Sequence, residues 1–232
     1  MDLIKQALAN NQHALTEFEA KTLLSTYGIP ITRESLARDR AAAAAAAGKI
    51  GYPVVLKGSG ADLMHKSESG VVFVGLDNEA ALLDAFDRVA HLMGDTFDGV
   101  LIQEMVAGKR ELVLGLHREP QFGPCVMLGV GGVLTELIND TAFRIAPFDE
   151  IEGMDMTVQL RAAKIFQAFR GEAPADREAL CRCLSALGRI GLEQPAISEI
   201  DINPMILTPE GGIKAVDALV VLKEPAHDAS NR

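Results

Sequence analysis

The hydrophobic and polar residues of this chain repeat with two different periods, which predict a mixture of helices and strands. Apolar, β-branched runs between glycines or prolines are typical of strands, and they occur at 54–57, 71–75, 100–106, 111–116 and 124–128. Apolar residues at helical spacing predict helices after Leu15, over 39–48, over 78–93, at about 154–170 and at about 176–187. The alternation of strand and helix indicates the α/β class.

Several helix boundaries carry capping residues. Thr16 followed by Glu19 forms a capping box that starts a helix, and Gly28 ends this helix. The helix at 78–93 is expected to bury one face, formed by Leu82, Ala85, Phe86, Val89 and Leu92. The helix at about 154–170 is expected to be apolar at Leu160, Ala163, Ile165 and Phe166.

The last predicted element is a hairpin of strands 197–207 and 213–222. If its turn centres on Glu210, Asn203 lies opposite Asp217, with the side chains about 5 Å apart. Two neighbouring oxygen donors suit Mg²⁺, which takes one or two protein ligands and completes its shell with phosphates and water. The plainer alternative is that Asn203 caps a turn and Asp217 is a surface acid. An aspartate inside an apolar run is costly unless it is paired or liganded, which favours the metal site.

A loop rich in glycine and serine separates the strands at 54–57 and 71–75, with Lys57 before it and His65 inside it. A cation at the mouth of a sheet beside glycines suits a nucleotide phosphate. A neutral imidazole can accept a phosphoryl group and pass it on, so His65 is a candidate carrier. A solvated lysine and a solvated histidine are the plainer alternatives.

Other segments are weaker candidates for binding. Glu104, Met105 and Val106 end a strand and resemble a hinge whose backbone pairs with a purine edge. Three further features could lie near an anion: the backbone of Gly131 and Gly132, the charged start of a strand at Glu111, and the lone cation Arg144. A tight turn, a solvated strand start and a surface arginine explain these equally.

Composition narrows the function classes. The formal net charge is −10, and no basic tract exceeds a pair, so no general affinity for nucleic acid or an anionic membrane is expected. The chain shows no secretory leader and no apolar run long enough to span a bilayer, so a cytoplasmic protein is expected. Three cysteines without metal-ligand spacing predict reduced thiols.

Taken together, the motifs resemble the ATP-grasp subunit of NDP-forming acyl-CoA synthetases. That family includes the β subunit of ADP-forming acetate–CoA ligase and, more distantly, that of succinyl-CoA synthetase. The resemblance runs from about Leu15 to about Leu222. Its motifs are Lys57, His65-Lys-Ser, Gln103-Glu-Met, Glu111, Phe122-Gly-Pro, Gly129 to Val133, Phe143-Arg-Ile-Ala-Pro, Asp201-Ile-Asn-Pro and Asp217.

The resemblance implies an ATP-grasp fold, in which two α+β lobes close on a nucleotide. It places an N-terminal lead at 1–15, a small lobe at 16–107, a large lobe at 108–223 and a tail at 224–232. The small lobe would carry Lys57 and the His65 loop, and the large lobe would carry the magnesium hairpin.

The resemblance also implies roles for single residues. Lys57 would touch the ATP phosphates, and Glu104 to Val106 would bind adenine. Asn203 and Asp217 match the Mg²⁺ ligands, while Glu111 and Arg144 would lie near the phosphates. His65 matches the histidine that relays phosphate to the nucleotide. This chain departs from the family by having one glycine, Gly70, where two usually follow the His-Lys-Ser segment.

The reaction implied is acyl-CoA + ADP (or GDP) + phosphate ⇌ carboxylate + CoA + ATP (or GTP). No segment resembles a CoA-binding domain, so a separate α subunit is expected, with two copies of each subunit as one arrangement. Two other functions stay open: an ATP-grasp ligase that joins a carboxylate to an amine, and a non-catalytic subunit that senses nucleotide. The carboxylic acid substrate and the choice between adenine and guanine nucleotides also stay open.

Overall fold

The structure, a computed structural model, describes residues 3–59, 70–132 and 140–223. Its helices are α1 (Leu3–Ala9), α2 (Glu17–Thr26), α3 (Arg40–Ile50), α4 (Glu79–Met93), α5 (Glu150–Gln159) and α6 (Arg177–Glu193). None of these helices combines the length and the apolar character that crossing a bilayer requires. Its strands are β1 (Ala14–Leu15), β2 (Glu34–Ala37), β3 (Val54–Ser59), β4 (Val72–Leu76), β5 (Gly99–Glu104), β6 (Arg110–Glu119), β7 (Gly123–Val130), β8 (Thr141–Ile145), β9 (Ile197–Leu207), β10 (Ile213–Ala215) and β11 (Leu219–Leu222).

The strands form two antiparallel sheets. The smaller sheet has the order β2-β5-β3-β4, and α3 and α4 pack on one of its faces. The larger sheet has the order β1-β11-β9-β6-β7-β8, with β10 also paired to β9, and α6 packs on β6 and β7. Each sheet has its own hydrophobic core. The predicted mixture of helices and strands is confirmed, and it is organised as two α+β units.

The N-terminal segment packs with the larger sheet. Ile4 and Leu24 belong to the core of that sheet, and β1 pairs with β11. The predicted boundary, which places residues 16–107 in the small lobe, therefore needs correction at its start. The chain reaches the smaller sheet only after Ile31, which bridges to Ala215, because the apolar residues of α2 are buried against the larger core.

The predicted capping box of α2 is confirmed, and side chains also cap the next two helices. Thr16 and Glu19 form the capping box of α2, and Asp39 and Asn78 cap α3 and α4. One predicted core residue of α4 is wrong, since Leu92 is 59% exposed and Met93 is buried instead. Met93 follows Leu82 by just over three turns of about 3.6 residues each, so it returns to the buried face.

The helix predicted at about 154–170 begins and ends earlier, as α5 at Glu150–Gln159. Asp149 starts it by accepting the N–H groups of Ile151 and Glu152 at 3.0 Å. The Asp140 carboxylate accepts the N–H groups of Arg161 and Ala162, both at 2.8 Å, which draws the backbone out of the helix. Burial opposes ionisation of Asp140, but these two backbone hydrogen bonds and the guanidinium group of Arg161 together outweigh it and lower the pKa of Asp140. Four residues expected on the helix lie beyond its end: Leu160, Ala163, Ile165 and Phe166.

The three cysteines are unpaired, which confirms the expectation of reduced thiols. Cys181 and Cys183 lie buried on α6, while Cys125 is half-buried on β7. Burial raises the pKa of Cys183 to about 12, so its thiol stays protonated near neutral pH.

Two glycines of α6 differ in how closely the sheet approaches them. A Cβ at Gly191 would lie 2.6 Å from both Leu116 Cδ1 and Pro124 Cβ, whereas a Cβ at Gly188 would keep 3.3 Å from Ala146. We expect Gly191→Ala to lower the free energy of unfolding by about 1–3 kcal/mol, because overlap with proline outweighs the gain in helix propensity. Gly188→Ala, the matched control, should stay within about 1 kcal/mol of the parent chain. Urea unfolding measures both, and a Gly191→Ala variant as stable as the parent would contradict this packing.

Candidate nucleotide-binding site

Lys57 reaches from the smaller sheet to the larger one. It lies on β3, and its Nζ is 3.3 Å from Oδ2 of Asp217, which lies between β10 and β11. The structure therefore brings together the lysine predicted to touch phosphate and an aspartate predicted to bind Mg²⁺. These two residues define the candidate site.

The ammonium group of Lys57 is buried and fully hydrogen-bonded. The residue is 5% exposed, and Nζ donates to Glu17 Oε1 at 2.6 Å, to Asp217 Oδ2 at 3.3 Å and to the Val216 carbonyl at 3.3 Å. Burial alone would lower the pKa of Lys57, but the charges of Glu17 and Asp217 outweigh it and raise this pKa. Lys57 is therefore a charged group beside two carboxylates.

The hairpin has the predicted register. Leu207 pairs with Ile213, and Asp201 pairs with Leu219. The strands therefore keep the same register on both sides of a break at 216–218. This register keeps Asn203 level with Asp217. The predicted continuous strand at 213–222 is wrong at the break, where the Asp217 carboxylate accepts the N–H of Ala218 at 2.8 Å and replaces regular ladder bonding.

The oxygen donors of the hairpin suit a magnesium ion. Asn203 is exposed, and the Asp217 side chain is 40% exposed, so both are open to a ligand. Among residues 3–59, 70–132 and 140–223, no group of three histidine, cysteine or acidic side chains could hold a metal. Mg²⁺ needs only one or two protein oxygens when phosphates fill the rest of its shell. The donor set therefore fits a nucleotide-bound Mg²⁺ better than a metal held by protein alone.

Asp201 is a second acidic residue beside Asn203 and Asp217. It precedes Asn203 by two residues on β9, so the alternation of a strand directs it to the same face. Burial raises the pKa of Asp201, and the charges of Glu199 and Asp217 raise it further. The sequence already indicated that Asp201 and Asn203 share a face, because both alternate with buried isoleucines along the strand.

The hinge candidate lies where β5 ends. The buried carboxylate of Glu104 accepts the backbone N–H of Arg33 at 2.9 Å and its Nε at 2.8 Å, and it also contacts Lys214. Burial opposes ionisation, but the donors on Lys214 and Arg33 outweigh it and lower the pKa of Glu104. The Glu104 side chain is thus engaged within the protein, while Met105 is exposed and Val106 is half-buried.

Glu111 lies against the two glycines predicted to bind an anion. The N–H of Gly131 donates to the Glu111 carbonyl at 2.7 Å, and a Cβ at Gly131 would lie 2.9 Å from Glu111. Gly132 has φ +96°, and a Cβ there would lie 3.9 Å from Glu111 Oε2. Glycine is therefore required at both positions by close approach or by backbone conformation.

Arg144 does not join this group. It pairs with Val126, whose side chain is fully buried beneath the helices, so Arg144 lies on the helix-covered face of the larger sheet. Its Nη1 donates to the Phe143 carbonyl at 2.8 Å and to Gln159 Oε1 at 3.1 Å. Glu111 precedes the buried Leu112 by one residue and so lies on the opposite face. His65 lies outside the described residues.

Sequence reasoning missed Glu17 and Lys21, which lie on α2 beside Lys57. The buried stripe of this helix has spacings of three and four residues and contains Glu17, Ala20, Lys21 and Leu24. Glu17 Oε1 lies 2.8 Å from Lys21 Nζ. The sequence could have revealed these residues, because two opposite charges on the apolar stripe of a helix need partners when they are buried.

Comparisons with known proteins agree with this geometry. Residues 6–222 match the family described as ATP-grasp domain. The chain is 38% identical to the β subunit of ADP-forming acetate–CoA ligase I from Pyrococcus furiosus, over 95% of this chain and 97% of the relative. It is also 38% identical to ADP-forming 4-hydroxybutyrate–CoA ligase from Nitrosopumilus maritimus, over 90% of this chain but only 31% of that longer relative.

Solved structures show the same fold. Two structures of the dinucleotide forming acetyl-coenzyme A synthetase 1 of Ca. Korarchaeum cryptofilum superpose with TM-scores of 0.91 and 0.84. Both are 40% identical, and both comparisons cover 96% of this chain and 99% of the matched chain. One is a complex with coenzyme A and Ca-AMPCP; the other holds coenzyme A and Mg-AMPPCP, with a phosphohistidine segment pointing towards the nucleotide-binding site. The chain therefore belongs to the ATP-grasp family, and its relatives there are ADP-forming acyl-CoA ligases.

Proposed function

We propose that this chain is the nucleotide-binding subunit of an ADP-forming acyl-CoA synthetase, which interconverts acyl-CoA, ADP and phosphate with a carboxylate, CoA and ATP. The observation that carries the proposal is the meeting of Lys57 and Asp217 across the two sheets. A cation and an oxygen donor from opposite sides of a cleft are the groups that a metal-bound polyphosphate requires. The family membership supports the same function.

Mg²⁺ is the proposed metal, held by Asn203 and Asp217. When bound, it would neutralise charge on the nucleotide phosphates. Lys57 would hold phosphate oxygens from the smaller sheet, and Glu111 with Gly131 and Gly132 would border the phosphates from the larger one. The exposed Met105 and the half-buried Val106 would bind the base.

His65 is the proposed phosphoryl carrier. A nitrogen of its imidazole attacks the γ-phosphorus of ATP, an N–P bond forms, and the bond to the β-phosphate oxygen breaks to release ADP. The phosphoryl group then passes to the partner subunit, and the reverse steps make ATP. The phosphohistidine segment named in the Ca. Korarchaeum cryptofilum structure supports this role.

The partner proposed is a CoA-binding α subunit in a heteromer, with α2β2 as the simplest symmetric form. Two observations on relatives support it. One relative, of which the match covers 97%, is itself a β subunit. Another carries the matching region as 31% of a longer ligase.

His65→Ala should abolish phosphoryl transfer while nucleotide binding remains. We expect acyl-CoA formation with the α subunit encoded nearest to this gene to fall by at least ~100-fold, because the carrier nitrogen is lost. The measurement combines γ-labelled ATP, Mg²⁺, CoA and a panel of acids, and it follows acid-labile label on each subunit.

His91→Ala is the matched control, because His91 is exposed on α4. It should transfer label at the parent rate. A His65→Ala variant that keeps the full rate would contradict the relay and favour direct acyl phosphate formation. Nucleotide binding without label on either subunit would favour a regulatory protein.

Asp217→Asn should weaken the response to magnesium. Because one anionic oxygen is lost from the proposed site, we expect the Mg²⁺ concentration for half-maximal binding of AMPPCP to rise by about 10-fold or more. Calorimetric binding of AMPPCP at several Mg²⁺ concentrations measures this half-maximal concentration. Asp98→Asn is the control, since Asp98 is largely exposed and pairs with Arg38. An unchanged Mg²⁺ requirement in Asp217→Asn would remove Asp217 from the metal site.

A further inference from the structure

Five charged residues, four of them with buried side chains, form a cluster where α2 meets both sheets. Glu17 Oε1 lies 2.6 Å from Lys57 Nζ and 2.8 Å from Lys21 Nζ. Lys21 also contacts Glu34 on β2, and Lys57 contacts Asp217. We call these five residues the charge cluster: Glu17, Lys21, Glu34, Lys57 and Asp217. Glu17 is its centre, because one oxygen serves both lysines.

The two carboxylates that contact Lys57 differ in strength. The Glu17 contact is 2.6 Å and its side chain is 3% exposed, whereas the Asp217 contact is 3.3 Å and its side chain is 40% exposed. A shorter contact in a drier environment is electrostatically stronger. Glu17 is therefore the tighter partner of Lys57, and Asp217 is the looser one.

The ammonium group of Lys57 has no donor to spare in this arrangement. It has three donors, and Glu17, Val216 and Asp217 accept them. A phosphate oxygen can bind only if one of these contacts gives way. The contacts to Val216 and Asp217, both 3.3 Å, are the ones that would yield.

Glu17 is itself held in place by Lys21. Lys21 is completely buried, and its Nζ donates to Gln103 Oε1 at 2.9 Å, to the Val216 carbonyl at 3.1 Å and to Thr32 Oγ1 at 3.3 Å. These contacts reach β5 and the hairpin, so Lys21 is anchored on several elements. Glu17 is consequently a fixed acceptor that cannot follow a displaced ammonium.

We propose that Glu17 is a positioning residue, which holds Lys57 in the site while Asp217 leaves it for the metal. The inference rests on the proposed nucleotide-binding function. Without the Glu17 charge, Asp217 would be the remaining carboxylate on Lys57 among the described residues. The ammonium would then tighten onto Asp217 and compete with Mg²⁺ for it.

The test is calorimetric binding of Mg–AMPPCP to the full chain. We expect Glu17→Gln to weaken binding by about 10-fold or more and to raise the Mg²⁺ concentration needed for half-maximal binding. Glu34→Gln is the matched control, because Glu34 is equally buried and contacts Lys21 but not Lys57. It should change the affinity by less than about 3-fold.

A double-mutant cycle separates positioning from folding. In a Lys57→Met background, Glu17→Gln should have almost no further effect on affinity, because its action passes through Lys57. Independent, additive losses would overturn the proposal, as would equal losses in Glu17→Gln and Glu34→Gln.

Three further outcomes are also decisive. If Glu17→Gln does not fold, Glu17→Asp keeps the charge but shortens the side chain, and unchanged affinity in that variant would overturn the proposal. If the parent chain binds no Mg–AMPPCP, the proposed function itself fails. If the parent chain binds and Glu17→Gln binds equally well, only the role of Glu17 fails.

Discussion

The contact between Lys57 and the carboxylates around it sets the geometry of the site. An ammonium removed from water is stable only when acidic groups lie beside it. Lys57 obtains these from Glu17 on α2 and from Asp217 in the break of the hairpin, and both lie on elements packed with the larger sheet. The ion pairs therefore connect β3 of the smaller sheet to the hairpin. They fix the distance between the cation proposed to bind phosphate and the oxygen proposed to bind the metal.

The hairpin contributes to the same geometry through its interruption. Regular pairing on both sides of residues 216–218 keeps Asn203 level with Asp217. Within the break, the Val216 carbonyl accepts hydrogen bonds from both Lys21 and Lys57. A continuous ladder would engage this carbonyl in strand pairing. The loss of regular strand at this point thus frees a backbone acceptor for the two buried lysines.

The sequence was informative wherever local rules decide the structure. The centre of the turn at Glu210 predicted the hairpin register, and Thr16 with Glu19 predicted the start of α2. It failed where tertiary contacts decide. Asp140, distant in sequence, ends α5 by hydrogen bonds to residues 161 and 162. The face occupied by Arg144 depends on its pairing with the buried Val126, which periodicity within one strand does not reveal.

The two hydrophobic cores are separate, and polar contacts join the sheets across the candidate site. Lys214 of β10 contacts Glu104 of β5, and Lys57 of β3 contacts Asp217. Polar interfaces between structural units rearrange more readily than hydrophobic ones, because water can replace their hydrogen bonds. The two longer hydrogen bonds of Lys57, to the Val216 carbonyl and to Asp217 at 3.3 Å, lie where a nucleotide and its metal would bind. Glu17 and Lys21 lie deeper and keep shorter contacts, so a ligand can rearrange the outer contacts while the inner ones preserve the position of Lys57.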